Sequence, residues 1–381
     1  MEKMNGRIYT TLCLKLEGPL FIGSGNKIKK KEYYYDSKEN KAYFYNNLKL
    51  QQRVVAMGLA DQYVDYMLCE QQKTLYDFCK SSNISRGQFN DALIYSVPAQ
   101  NAIGGDRGNE QDIEAFLRNA MGQPYVPGSS VKGALHTALM TYFMMRNPQN
   151  KPRMGYINLE NAWDMRKEAS RLNKESETRV FHTLDCKKDK KNAVNSIMRG
   201  IMLADSAPID TQMILCRKKD IHVNPGQPTT SVGAGGAGQG NHILIRECLP
   251  PGTEVRIPMV LDEKLTLGIT LETIKEAIRV FDKQYIETFQ KHFKLPDKAL
   301  RPELGAHLFL GGGSGYNSKA VTYTLLGQEK GLEFVSSWMK ASFRAGKHEE
   351  DQTLGISPHT IKYTNVGDQL LPFGLCRVEF L

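Results

Sequence analysis

The sequence predicts an α+β fold, and three observations carry that prediction. The first and last segments alternate apolar with polar residues, two longer stretches repeat apolar residues at helical spacing, and further strand-like runs lie between those stretches. The order strand, helix, strands, helix, strand is that of a ferredoxin-like (RRM-like) unit.

In the first strand Ile8, Leu12, Leu14 and Leu16 share one face and Thr11, Cys13 and Lys15 the other, until Gly18 and Pro19 end or bend it. Gly23, Ser24 and Gly25 then precede a basic run, Lys27, Lys29, Lys30 and Lys31. The segment YYYDSKENKAYFY that follows has aromatic flanks around a polar centre, which predicts a hairpin turning within Ser37 to Lys41. From about residue 46 to 120 the spacing turns helical through Val54, Val55, Leu59, Tyr63, Val64, Met67 and Leu68, and Ser85 with Gln88 matches a capping box. This region reads as an inserted helical block.

After the loop NAIGGDRGNE, Pro127 and Gly128 turn the chain into a helix N-capped by Ser129 or Ser130, with Val131, Leu135, Ala138, Leu139 and Tyr142 as its buried stripe. Strand-like runs at 200–205, 213–216, 242–246 and 253–260 predict a mostly antiparallel sheet. Thr273 with Glu276 would cap the next helix, whose stripe is Ile274, Ile278, Phe281, Tyr285 and Phe289. A further helix is expected near 329–343, and Cys376, Val378 and Phe380 alternate in a terminal strand. The division that follows is 1–45 for the start of an N-terminal core, 46–120 for the insertion, 121–265 for the rest of that core, and 266–381 for a C-terminal RRM-like half.

The 381 residues exceed a usual domain of ~100 to 200, which fits two domains or one with a large insertion. Lys and Arg number 50 against 41 Asp and Glu, and the resulting +9 favours polyanionic partners. The seven cysteines are scattered without a C-x-x-C pair, so neither structural zinc nor a disulfide framework is expected. No apolar run of ~18 residues and no signal-like start occur, which predicts a cytoplasmic protein without a membrane span. There is no HExxH, G-x-S-x-G or paired-histidine spacing, so no catalytic group, metal or cofactor is expected.

Four motifs bear on binding. GAGGAG at 233–238 matches G-x-G-x-x-G but has no strand before it and no helix after it, so it reads as a surface loop. Gly311, Gly312, Gly313 and Gly315, with Ser314, Asn317, Ser318 and Lys319, form either a tight turn or a phosphate cradle, and the residues alone leave both open. Ser129, Ser130 and Lys132 sit at a helix start whose free N–H groups suit a phosphate, and His136 lies one turn on. The lysines at 27–31 suit an RNA backbone, while the aromatics beside them read as one buried hairpin face or as stacking platforms.

Together GPLFIGSG at 18–25, YVPGSSVKGALHTAL at 125–139, IMLADSAPID at 201–210, IRECLPPGT at 245–253 and LGGGSGYNSK at 310–319 resemble the RAMP superfamily of CRISPR proteins, as found in the type III-A effector complex. The resemblance implies a RAMP fold of RRM-like units with an inserted helical block. It implies a structural subunit that binds crRNA toward its 3′ end, contacts the repeated backbone RAMP subunit and other subunits, and supports crRNA maturation and antiviral defence. Trimming would fall to recruited cellular nucleases, with no nuclease activity in the subunit itself. Carried over by motif, the RNA-binding residues are Gly23, Ser24 and Gly25, then Ser129, Ser130 and Lys132, then Gly311, Gly312, Gly313, Ser314, Gly315 and Lys319. Relatives often have Arg where this chain has His136. The alternative is a metal-independent RAMP endoribonuclease acting on CRISPR repeat RNA, with Lys132 and His136 as its candidates.

Overall fold

Asn5 and Gly6, both at positive φ, make the two-residue turn that folds β1 (Glu2–Met4) onto β2 (Arg7–Leu16), the use for which an Asn-Gly pair is suited. These elements come from a computed structural model that describes residues 2–69, 73–100, 102–103, 111–224, 244–343, 346 and 348–381. Leu12, Leu14 and Leu16 of β2 are buried as their alternation requires, and Cys13 on the other face is buried too. Next come β3 (Gly23–Ile28), β4 (Tyr33–Asp36) and β5 (Lys41–Tyr45), the last two forming the expected hairpin with Asp36 opposite Lys41.

The helical block is shorter than its expected reach to 120. It comprises α1 (Asn47–Ala56), α2 (Ala60–Leu68), α3 (Leu75–Ser81) and a 3₁₀ turn over Arg86–Ala92 whose Ser85–Gln88 capping box is present. The chain then returns to strands, β6 (Leu93–Pro98) beside β5 and β7 (Ile113–Phe116) beside β3. The apolar stripe is also wider than the core it covers: Val54 and Tyr66 are buried, but Val55, Val64, Met67 and Leu68 are exposed.

Two long helices follow, α4 (Gly128–Arg146) and α5 (Ala162–Phe181), then β8 (Ile201–Leu203), β9 (Ile214–Arg217), β10 (Lys219–His222), β11 (Ile245–Cys248) and β12 (Glu254–Asp262). The GAGGAG segment and the start of the 242–246 run lie outside the described residues. After α6 (Glu263–Thr266) come α7 (Leu271–Thr288), β13 (His307–Phe309), α8 (Thr322–Leu326), α9 (Gln328–Ser342) and α10 (Asp351–Leu354). The chain ends with β14 (Thr360–Val366), β15 (Gln369–Pro372) and β16 (Leu375–Phe380).

The main sheet runs β13-β16-β2-β12-β8 with antiparallel neighbours. Within it β2, α4, β8, β12, α7 and β16 succeed one another as strand, helix, strand, strand, helix, strand. Their spatial order β16-β2-β12-β8 is fourth, first, third, second, the ferredoxin-like arrangement. The stripe of α4 and the first part of that of α7, Ile274, Ile278 and Phe281, share one core with Leu12, Leu14, Val255 and Ile257 of the sheet. A boundary at 265/266 therefore does not separate two halves, because β16 pairs with β2 in the same sheet and α7 packs beside α4 in the same core. A second core does gather around the β10-β14-β15 sheet, with Tyr285, Phe334, Ile361 and Tyr363.

Two caps differ from expectation. Pro127 occupies the N-cap of α4, and the first free donor there is met from a distance: Gly128 N–H donates to Asp205 Oδ1 at 2.9 Å, while just before the cap Val126 N–H donates to Ser206 Oγ at 3.0 Å. Neither Ser129 nor Ser130 caps. At α7 the cap is Thr270, with Thr273 as its reciprocal partner, so the helix begins one turn before the Thr273–Glu276 pair.

Candidate nucleic-acid interface

The glycine-rich loop after β13 closes on the segment after β2. Gly311 has φ of 68°, and a Cβ there would stand 1.9 Å from the Phe21 carbonyl oxygen, so any side chain is excluded both by strain and by contact. Gly312 N–H donates to that same oxygen at 2.7 Å, which uses one of the donors a phosphate cradle would need. Across from the loop stands α4, whose Ser130, Gly133, Ala134 and Thr137 fall on one face by their helical spacing. Loop, helix and Gly23 enclose a cleft of about 460 Å³, with Phe281 and Leu308 behind it and Ser318 and Lys319 at its edge. Space above Gly133 is open, which leaves the α4 backbone accessible.

Three sequence motifs thus meet in one place, through Gly23, Ser130, Gly311, Gly312 and Lys319. The Lys319 ammonium donates to the Gly311 carbonyl, and burial holds its pKa below that of a free lysine. Lys132, one residue off the cleft face, is half-buried and has no ion-pair partner among the described residues; burial lowers its pKa as well. Ser129 is exposed at the same helix start.

The other candidates are engaged elsewhere. His136 turns to α5, its Nε2 2.6 Å from Glu177 Oε2 and its ring 4.6 Å from that of Phe181. Ser24 Oγ donates to the Ala115 carbonyl at 3.1 Å, holding β3 to β7, and Gly25 has open space around it at φ of 84°. Lys29 pairs with Asp112 at 2.8 Å, and the Lys30 backbone N–H donates to the same carboxylate at 3.2 Å. Lys31 donates to the carbonyls of Tyr66, Met67 and Cys69 at 3.0, 3.0 and 2.8 Å, which satisfies the end of α2. Only Lys27 of the run projects from an exposed strand position without such a partner among the described residues. Tyr33, Tyr35, Tyr43, Phe44 and Tyr45 are buried, Tyr33, Tyr35 and Phe44 in the main core and Tyr43 and Tyr45 in the core of the helical block, so the hairpin buries aromatics on both of its faces.

Sequence reasoning missed what lies beneath the glycine loop. Arg246 of β11 is buried between the rings of Phe21 and Phe373, 5.3 and 5.9 Å from their centroids, with Nε 2.9 Å from Glu114 Oε2. A Cβ on Gly313 would approach its Nη1 to 3.5 Å, and one on Gly315 would meet the stem of Lys362 at 2.8 Å. Arg246 Nη1, Ser314 Oγ and Asn317 Nδ2 are buried without a hydrogen-bond partner among the described residues, so this layer holds unused polar capacity. An Arg inside an alternating strand ordinarily reads as solvent-facing; the IREC run, with every residue buried, offered no local sign.

The fold and cleft define an RRM-like α+β protein with a glycine-rich loop packed against the start of its first helix. The chain belongs to the RAMP superfamily, whose family model matches residues 13–316. It is similar to proteins named CRISPR system Cms protein Csm5: 24% identical to that of Mycobacterium tuberculosis (strain H37Rv) over 97% of this chain and 96% of the relative. It is 28% identical to that of Streptococcus thermophilus over 84% of this chain and 81% of the relative. Among solved structures, it resembles a chain of a cryo-EM structure of a Csm–crRNA–target RNA ternary complex in a type III-A CRISPR-Cas system, with a TM-score of 0.61, 18% identity, and coverage of 97% of this chain and 100% of that one. A crystal structure of T. onnurineus Csm5 aligns with a TM-score of 0.58 at 16% identity, over 96% of this chain and 99% of that one. Among the described residues no helix is long and apolar enough to cross a membrane.

Proposed function

We propose that this protein is a crRNA-binding structural subunit of a type III-A CRISPR effector complex, acting in the cytoplasm. It sits toward the crRNA 3′ end against the repeated backbone subunit. There it supports crRNA maturation and antiviral defence, while cellular nucleases trim the RNA and the subunit itself cuts nothing. The observation that carries the reading is the convergence of three separate motifs on one cleft with an open helix backbone, hydroxyls and a lysine at its edge. Hydroxyls and one cation suit a phosphate chain and read no base, so affinity is salt-dependent and sequence-tolerant. The nuclease alternative relies on Lys132 and His136, and His136 is occupied by Glu177 and Phe181.

The test uses complexes assembled with Ser130→Ala plus Lys319→Ala, scored for this subunit's occupancy and for the 3′ ends of the crRNA that copurifies. Reduced occupancy or altered ends is expected. Wild-type values for both would remove the cleft from the reading. Cleavage of repeat RNA by the purified wild-type chain in EDTA would overturn the non-enzymatic part.

A further inference from the structure

A cluster of imidazoles surrounds one fully buried carboxylate, Asp351. Asp351 opens α10, His348 lies in the 3₁₀ turn just before it, and His359 immediately precedes β14. Asp351 has no exposed surface, and both histidines are at least nine-tenths buried. His348 Nδ1 lies 3.0 Å from Asp351 Oδ2, His359 Nδ1 is hydrogen-bonded to Oδ1, and Ser357 Oγ donates to Oδ2. One donor atom from each of His348, Asp351 and His359 lies within 4.8 Å of the others. The rings lie side by side and tilted to one another, with His348 4.7 Å and His222 of β10 4.6 Å from His359.

Charge balance makes this arrangement informative. A carboxylate out of contact with water is costly unless a cation accompanies it. Among the described residues Asp351 has no Lys or Arg partner; its ion-pair partners are the two histidines. With both imidazoles neutral, the described groups of the cluster carry one net negative charge. A divalent cation between the three groups neutralises it and takes each as a ligand.

We propose that His348, Asp351 and His359 form a binding site for a divalent transition metal, with zinc the best-suited ion. Two imidazole nitrogens and one carboxylate oxygen are borderline donors of the kind zinc prefers, and three protein ligands leave the fourth tetrahedral position to water. Bonds of ~2.0 to 2.2 Å to zinc set tetrahedral ligands roughly 3.4 Å apart, so the present spacing of up to 4.8 Å closes with small side-chain rotations. His222 is a wall and not a ligand: its Nδ1 already accepts the Asn224 N–H at 3.1 Å. The ion ties the turn before α10 to the start of β14, so its role is structural. The sequence hid the site because two histidines eleven positions apart around an aspartate match no common zinc spacing.

The full chain, stripped with EDTA and dialysed, is titrated with zinc while thermal stability is followed, and cobalt(II) is substituted for its visible spectrum. Expected are one zinc per chain by elemental analysis, a rise in Tm on adding zinc, and the absorption of a four-coordinate nitrogen and oxygen site with cobalt. His348→Gln, which keeps an N–H able to reach Asp351, removes metal binding with an unchanged circular dichroism spectrum. Cys186→Ser, at an exposed thiol, leaves it intact. Absence of bound metal in the wild type overturns the proposal, as does binding that survives His348→Gln or disappears in Cys186→Ser. If His348→Gln fails to fold, the cobalt spectrum of the wild type decides, since thiolate ligation or six-coordinate cobalt would equally reject the site.

Discussion

The lysine run at 27–31 and the glycine-rich loop at 311–315 begin as comparable candidates for holding a nucleic-acid backbone, yet the fold uses them in opposite ways. Lys29 and Lys31 are spent inside the protein, on Asp112 and on the carbonyl end of α2. The glycines instead let two loops close to carbonyl contact and leave a cleft beside α4. A cluster of charge in sequence therefore does not show that the charge is available. A cluster of glycines shows where backbone must come close, which in this chain is where a ligand has room.

The largest effect expected from breaking this contrast is at Gly311. Gly311→Ala puts a Cβ against the Phe21 carbonyl oxygen at positive φ and should cost about 3 kcal/mol or more in denaturant unfolding. A loss within the usual surface range of about 0.5 kcal/mol would mean the loop is not held as described. Next, Lys319→Ala should weaken RNA binding by ~1 to 3 kcal/mol and lower the salt slope, since a charge-assisted contact is lost. An unchanged slope in a salt titration would reassign Lys319 to bracing Gly311. Lys31→Met should cost about 1 kcal/mol and speed amide exchange in α2 while leaving the RNA salt slope alone. A changed slope with normal exchange would reverse the comparison.

The pH dependence sharpens it on the glycine side. His307 on β13, just before the loop, is buried, which disfavours its charged form; Asp282 Oδ2 at 3.0 Å and Glu17 at 3.2 Å outweigh that and raise its pKa. A raised folded pKa means stability that is full below the unfolded value near 6.5 and lost as pH rises through the folded value. Tm should therefore fall over that window, and His307→Gln should remove this part of the slope; an identical profile in the variant would exclude His307 as its source. Smallest is Lys29→Ala, where an exposed pair with Asp112 is lost and neither Tm nor RNA affinity should change measurably.

Much of the fold was legible because its signals are periodic. The alternation of Leu12, Leu14 and Leu16, the stripes at Val131 to Tyr142 and Ile274 to Phe289, and the closing Cys376, Val378 and Phe380 each report which face is buried without reference to any partner. Their order was enough for the ferredoxin-like succession, and the motifs around Gly23, Ser130 and Gly311 marked the places that form the cleft. Other features depended on groups far apart in the chain. Asp205 caps α4 from 77 positions away, Arg246 lies under a loop that follows β13, and β16 pairs with β2 across nearly the whole length. Which lysines remain free, and that His348 and His359 surround Asp351, were likewise decided by tertiary structure. The physical reason is that burial pattern is set by neighbours two positions apart in a strand and three or four apart in a helix, whereas a hydrogen bond or ion pair is set by distance in space, which sequence spacing does not encode.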